Sequence, residues 1–191
     1  MKKGSIILIV ALALAVIWSI STYNSLVSAQ EEVSSSWAQV ENVYQRRADL
    51  IPNLVATVKG YAAHEQSTFE AVTRARANAT SVNVGDLSVD EVKAFQLAQG
   101  QVTSALNRLL VVAENYPELK ANENFLDLQA QLEGTENRIA EARRLFNENA
   151  QKYNKKVRFF PSNIIASMFG FETKGYFEAD AGTDVVPKVA F

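Results

Sequence analysis

Residues 4–30 carry no charge, and residues 6–20 are apolar throughout except for Ser19. A helix that is hydrophobic all round, rather than along one stripe, has to be enclosed on every side. Extended to Tyr23, the run makes about 27 Å of helix at 1.5 Å per residue, close to the hydrocarbon thickness of a bilayer. Trp18 and Tyr23 lie near its outer end, where amphipathic rings favour the membrane interface. A cleaved leader is the competing reading, with Lys2 and Lys3 as its basic region and Val27-Ser28-Ala29 as its small-residue cleavage site. The apolar run is at the upper limit for a leader, and the candidate site lies well beyond its end with no breaker between. A retained anchor is therefore expected. Lys2 and Lys3 precede the run and Glu31 and Glu32 are the first charges after it, so the positive-inside rule predicts a cytoplasmic N-terminus with the remaining chain outside.

After residue 23 the hydrophobic period is helical. Tyr23, Leu26, Gln30, Val33, Trp37, Val40 and Tyr44 follow steps of three and four, one face of a helix over about 24–48. Ile51 precedes Pro52, which disfavours the α region, so the helix is expected to stop there and a second to run over 52–80 with Pro52 in its first turn. Its face is Leu54, Val58, Tyr61, Thr68, Val72 and Ala75. Ser88-Val89-Asp90-Glu91 reads as a capping box opening a third helix over 89–116, with Val92, Phe95, Gln99, Val102, Leu106, Leu109, Ala113 and Tyr116 on one face and Pro117 as its stop. A fourth, over 122–158, carries the most regular seam: Phe125, Leu128, Leu132, Thr135, Ile139, Ala142, Phe146, Asn149 and Tyr153. Gly60, Gly100 and Gly134 fall inside these helices and are read as close-packing positions in preference to bends. The expected architecture is all-α: a transmembrane helix (residues 1–23 with its stub), then an up-and-down antiparallel four-helix bundle of long helices over 24–160. An aromatic segment, 161–178, should follow as a cap or interfacial element, and 179–191 should be a disordered tail.

Composition narrows the chemistry. The chain has no cysteine and one histidine, so a disulfide framework, a thiolate nucleophile and a Cys/His zinc site are excluded within it. His64-Glu65 begins like a zinc-binding H-E-x-x-H helix, but position 68 is Thr68. Position 61 is Tyr61, so the Glu-x-x-His pair of di-iron bundles fails as well. There is no Gly-rich phosphate loop and no nucleophile elbow. No cofactor and no enzymatic activity are expected. The net charge of −2 gives no pull toward nucleic acid.

Several strings resemble the LemA family of bacterial membrane proteins. They are Arg46-Arg47-Ala48-Asp49-Leu50-Ile51-Pro52-Asn53-Leu54-Val55, Val58-Lys59-Gly60-Tyr61, His64-Glu65, Glu114-Asn115-Tyr116-Pro117-Glu118-Leu119-Lys120-Ala121 with Phe125, Glu136-Asn137, Ala142-Arg143, Tyr153-Asn154 and Phe160-Pro161-Ser162-Asn163. Phe146-Asn147 departs from the tyrosine that family members usually place before that asparagine. The resemblance covers about residues 23–177 and implies a single-pass protein of the bacterial cell membrane with a helical bundle outside the bilayer. It implies no biochemical activity. Descriptions of the family place the short N-terminus outside the cell, opposite to the charge argument.

Two sets of residues remain as candidates for contacts. Arg46, Arg47, Asp49 and Asn53, with His64 and Glu65, form either a local ion-pair network at the first inter-helix turn or a surface for a partner. Glu65 falls on an apolar face and reads as a flank residue that reaches solvent in preference to a buried carboxylate. Lys155, Lys156 and Arg158 precede Phe159, Phe160, Ile164, Ile165, Met168, Phe169 and Phe171, the bases-then-apolar order of an interfacial segment. The partners this predicts are the bilayer, through the N-terminal helix, and another membrane or envelope protein or further copies of the chain. The function expected is a non-enzymatic scaffold or interaction module, with a membrane-binding or membrane-shaping protein as the alternative.

Overall fold

The computed structural model describes residues 3–179, so all but the first residue of the expected disordered tail lies outside the described residues. Every regular element among them is a helix: α1 (Lys3–Tyr61), α2 (Gln66–Ser81), α3 (Val89–Glu114), the single turn α4 (Pro117–Lys120), α5 (Glu123–Arg158) and the short α6 (Ser162–Met168). The apolar N-terminal run is the first part of α1, and its side chains are exposed.

The expected break at Pro52 does not occur. α1 continues through it to Tyr61, and the second helix starts only at Gln66. A proline inside a helix removes one N–H donor and leaves the carbonyl four residues earlier without its partner. That carbonyl is Ala48 O, and Arg76 of α2 donates to it from Nε at 2.7 Å. A neighbouring helix thus repairs the defect. The buried stripe also keeps its phase across the proline, through Tyr44, Ala48, Ile51, Leu54 and Val58.

The other helix starts follow local chemistry. Ser88 caps α3, with its hydroxyl accepting from the Glu91 N–H at 3.3 Å while the Glu91 carboxylate accepts from Ser88 N–H at 3.0 Å. Asn122 caps α5 by accepting from Phe125 N–H. The glycines depart from expectation: a Cβ built at Gly60, Gly100 or Gly134 meets nothing within 4 Å, so no helix packs against them.

α1 and α5 lie antiparallel along almost the whole length of α5. Residue numbers fall on one as they rise on the other: Lys156 bonds Ser25, Asn149 bonds Glu32, Arg47 pairs with Glu136, and Asn122 bonds Tyr61. α2 packs on α3, and both reach α1. Their faces enclose two apolar regions. The one farther from the N-terminal run is mainly aliphatic, with Ile51, Leu54, Val58, Val72, Leu106, Leu109 and Leu132 beside Phe69 and Phe125. The nearer one is aromatic, with Trp37, Tyr44, Phe95, Phe146, Tyr153 and Phe177. A small third group of Leu26, Ile165 and Ala166 joins α6 to the base of α1.

Candidate functional site

Arg47 sits between the two apolar regions, 2% exposed. A guanidinium cannot shed its charge, so burying it demands a full set of acceptors. The neighbours supply them. Nη2 donates to Gln99 Oε1 at 2.6 Å and to Gln99 O at 3.3 Å. Nη1 donates to Thr103 Oγ1 at 3.1 Å and to Glu136 Oε1 at 2.9 Å. Its planar group also lies 4.9 Å from the centre of the Tyr44 ring. Each of these acceptors stands on α3 or α5, so a single α1 side chain ties three helices together. Both terminal nitrogens are committed. The group braces the fold.

The remaining members of the first candidate set do not gather around it. Arg46, Asp49 and Asn53 are exposed on α1. Asp49 accepts from Gln45 Nε2, one turn earlier on the same helix. Without a turn at Pro52 there is nothing for a local network to hold, so Arg47 parts from its neighbours and points inward. His64 is exposed in the turn after α1. Glu65 is half-buried at the start of α2, where its backbone carbonyl accepts from Thr68 and Phe69.

The second candidate set divides. Ile165 is buried against Leu26, Phe171 is half-buried, and Lys156 donates to Ser25. Lys155, Arg158, Phe159, Phe160, Ile164, Met168 and Phe169 are exposed. These apolar side chains collect at the base of the molecule. Tyr23 makes edge contacts with Phe169 at 4.8 Å and Phe171 at 5.6 Å. The patch therefore lies at the level where the apolar run of α1 ends.

Three features were not anticipated from the sequence. Arg76 is one, since its role exists only once Pro52 stays inside a helix. The second is the reach of the Glu91 carboxylate beyond the expected capping bond to Ser88: it also accepts from the backbone of Gly85 and Asp86, and these bonds together hold it below the usual carboxylate range. The third is the course of residues 171–179, which leave the base and run back between α3 and α5 in extended form. α3 and α5 approach each other only sparingly, and a groove of about 940 Å³ remains beyond the end of that segment, lined by Gln96, Gly100, Arg108, Glu136 and Arg143. Among the described residues, no group of three His, Cys, Asp or Glu side chains gathers in a form that could hold a metal ion.

An apolar N-terminal helix that passes unbroken into a set of long helices, braced by one internal arginine, defines an all-helical protein built on a candidate membrane anchor. Residues 36–191 match the LemA family, and the chain belongs to that family. Magnetosome protein MamQ of Magnetospirillum gryphiswaldense is 28% identical over 95% of this chain and 76% of its own length. Magnetosome protein MamQ 2 of Paramagnetospirillum magneticum is 28% identical over 85% of the chain and 66% of its own. Protein LemA of Metamycoplasma hominis is 24% identical over 82% and 68%.

Proposed function

We propose that this chain is a membrane-anchored, non-enzymatic scaffold. In this reading the apolar part of α1 crosses the bilayer once. The rest of α1 stands on the membrane with α2, α3 and α5 as an up-and-down four-helix bundle, outside the cytoplasm if the two N-terminal lysines set the orientation. Work is done by surface contacts with another envelope protein or a further copy. The observation that carries the reading is the position of the exposed base patch. Phe169 packs on Tyr23, where the span would leave the lipid, and Phe159, Phe160, Ile164 and Met168 are exposed on the same short stretch of chain. Rings at that depth favour the interface, and exposed Lys155 and Arg158 would each add about 1 kcal/mol near anionic lipid. A bundle seated at two points is held upright, as a scaffold must be.

Absence of native cysteine makes the test direct. In the full-length chain reconstituted in liposomes, Met168→Cys carrying an environment-sensitive fluorophore should be quenched by lipids bearing a shallow nitroxide. Lys120→Cys, on α4 at the far end, should not be quenched. Equal response at the two positions would remove the seat and with it the support for this reading. The same patch also favours membrane shaping, and tubulated or constricted vesicles after reconstitution would decide for that activity over a passive scaffold.

A further inference from the structure

Segment 171–179 is held as a bound peptide is held. It follows α6 and Gly170, whose φ is +73°, and it pairs with no other strand. Instead, three side-chain carboxamides each grip one of its residues by both backbone groups. Asn154 accepts from Lys174 N–H and donates to Lys174 O, both at 2.8 Å. Asn147 does the same to Phe177 at 2.9 and 2.8 Å, and Gln96 to Glu178 at 3.0 and 2.9 Å. A carboxamide carries a donor and an acceptor side by side, so each one stands in for a neighbouring strand. The spacing fits. Asn147 and Asn154 lie about 10.5 Å apart along α5, and three extended residues from Lys174 to Phe177 span about 10 Å.

Two side-chain requirements make the groove selective. Phe177 is the anchor, 5% exposed, stacked on Trp37 at 5.9 Å with its edge contacts to Phe146 at 5.5 Å and Phe95 at 6.3 Å. Arg143 lies 5.0 Å from its ring centre. Gly175 is the second requirement. Its N–H donates to Leu87 O at 2.8 Å, and a Cβ there would stand 3.0 Å from both Ser88 O and Val89 Cα. A side chain at that point would press on the backbone of the first turn of α3, which would have to give by a few tenths of an ångström, so glycine is the residue that fits without displacement. The groove thus accepts Gly175-Tyr176-Phe177-Glu178, and every copy of the chain carries both the groove and the segment that fits it.

We infer that the groove between α3 and α5 is a docking site for the C-terminal segment of a second copy, exchanged through the turn at Gly170, so that neighbouring copies are strapped together. The inference rests on the reading of the chain as a membrane-anchored module. Contacts within the groove are the same whether the segment comes from its own chain or the next, the condition under which swapping costs little. Confinement to one bilayer raises the effective concentration of copies already aligned side by side.

Two differently tagged full-length chains test it, one with Asp86→Cys and the other with Lys174→Cys, coexpressed and treated in membranes with a short bifunctional thiol reagent. Lys174 Nζ donates to Asp86 O at 2.6 Å, so the two sites are neighbours in the docked state. A species carrying both tags is expected. It should be lost when the Lys174→Cys chain also carries Gly175→Val, and separately when it carries Phe177→Ala. Linkage confined to a single chain bearing both cysteines overturns the inference and leaves the segment as a fixed wedge. Linkage of the Asp86→Cys chain to an unrelated protein, with none between tags, overturns it equally. Ser35→Cys on exposed α1 reports lateral association by any route. Linkage between copies there, with none between positions 86 and 174, sinks the exchange and leaves the scaffold reading standing.

Discussion

The repair of Pro52 by Arg76 makes a sharp energetic prediction. Arg76→Met keeps most of the apolar stem and removes the donor that serves Ala48 O at 2.7 Å. Hydrogen bonds to charged groups contribute about 1.5–3 kcal/mol, and Arg76 is half-buried, so water replaces part of the loss. A cost of about 1.5 kcal/mol is expected, or roughly 3–6 °C for a chain of this size. Pro52→Ala restores the N–H that Ala48 O lacks. In that background Arg76→Met should cost less than about 0.5 kcal/mol, giving a coupling near 1 kcal/mol. The assay is urea unfolding of the four variants in detergent, followed by helical circular dichroism. An Arg76→Met cost that is the same with and without Pro52 would refute the reasoning, because the arginine would then act through some other contact.

Arg47→Met should cost about 3 kcal/mol in the same assay, because it removes acceptor-matched donors from a fully enclosed site. Glu136→Gln should cost under about 1 kcal/mol, since the Glu136 side chain is 44% exposed and an amide oxygen still accepts from Nη1. Gly134→Ala should stabilise by about 0.5–1 kcal/mol, because the added methyl meets open space and the helix gains propensity. The Glu91 carboxyl is held lower in the folded chain than in the unfolded one, so its contribution is present above the unfolded value and lost as pH falls through the folded one. Glu91→Gln should therefore flatten the acid limb of a stability-against-pH curve, and an unchanged limb would place that acid sensitivity elsewhere.

Those features written in short-range chemistry were legible before the structure. The Ser88–Glu91 capping box, the stop near Pro117 and the seam of α5 need only neighbours along the chain. Features that depend on a distant partner were not. Pro52 reads as a helix start until Arg76, on another helix, is known to reach Ala48 O. The clue lay in the stripe, which keeps its phase from Val33 to Val58, and it was outweighed by the local rule for proline. Arg47 follows Tyr44 at the next helical step and so belongs to the buried face, but its charge argued for the surface until Gln99 and Glu136 were placed around it. Segment 171–179 has no period to read, because Asn147, Asn154 and Gln96 hold it with side chains on two other helices.

The continuity of α1 has a mechanical consequence. From Tyr23 to Tyr61 it is about 57 Å of helix with no joint, so under the membrane reading any lean of the buried portion is passed on undiminished. A span tilted by about 20° would carry the far tip some 20 Å sideways. The inclination of the whole assembly, and with it the height at which a neighbour could be met, would then be set by the thickness of the lipid in which the first twenty or so residues are embedded.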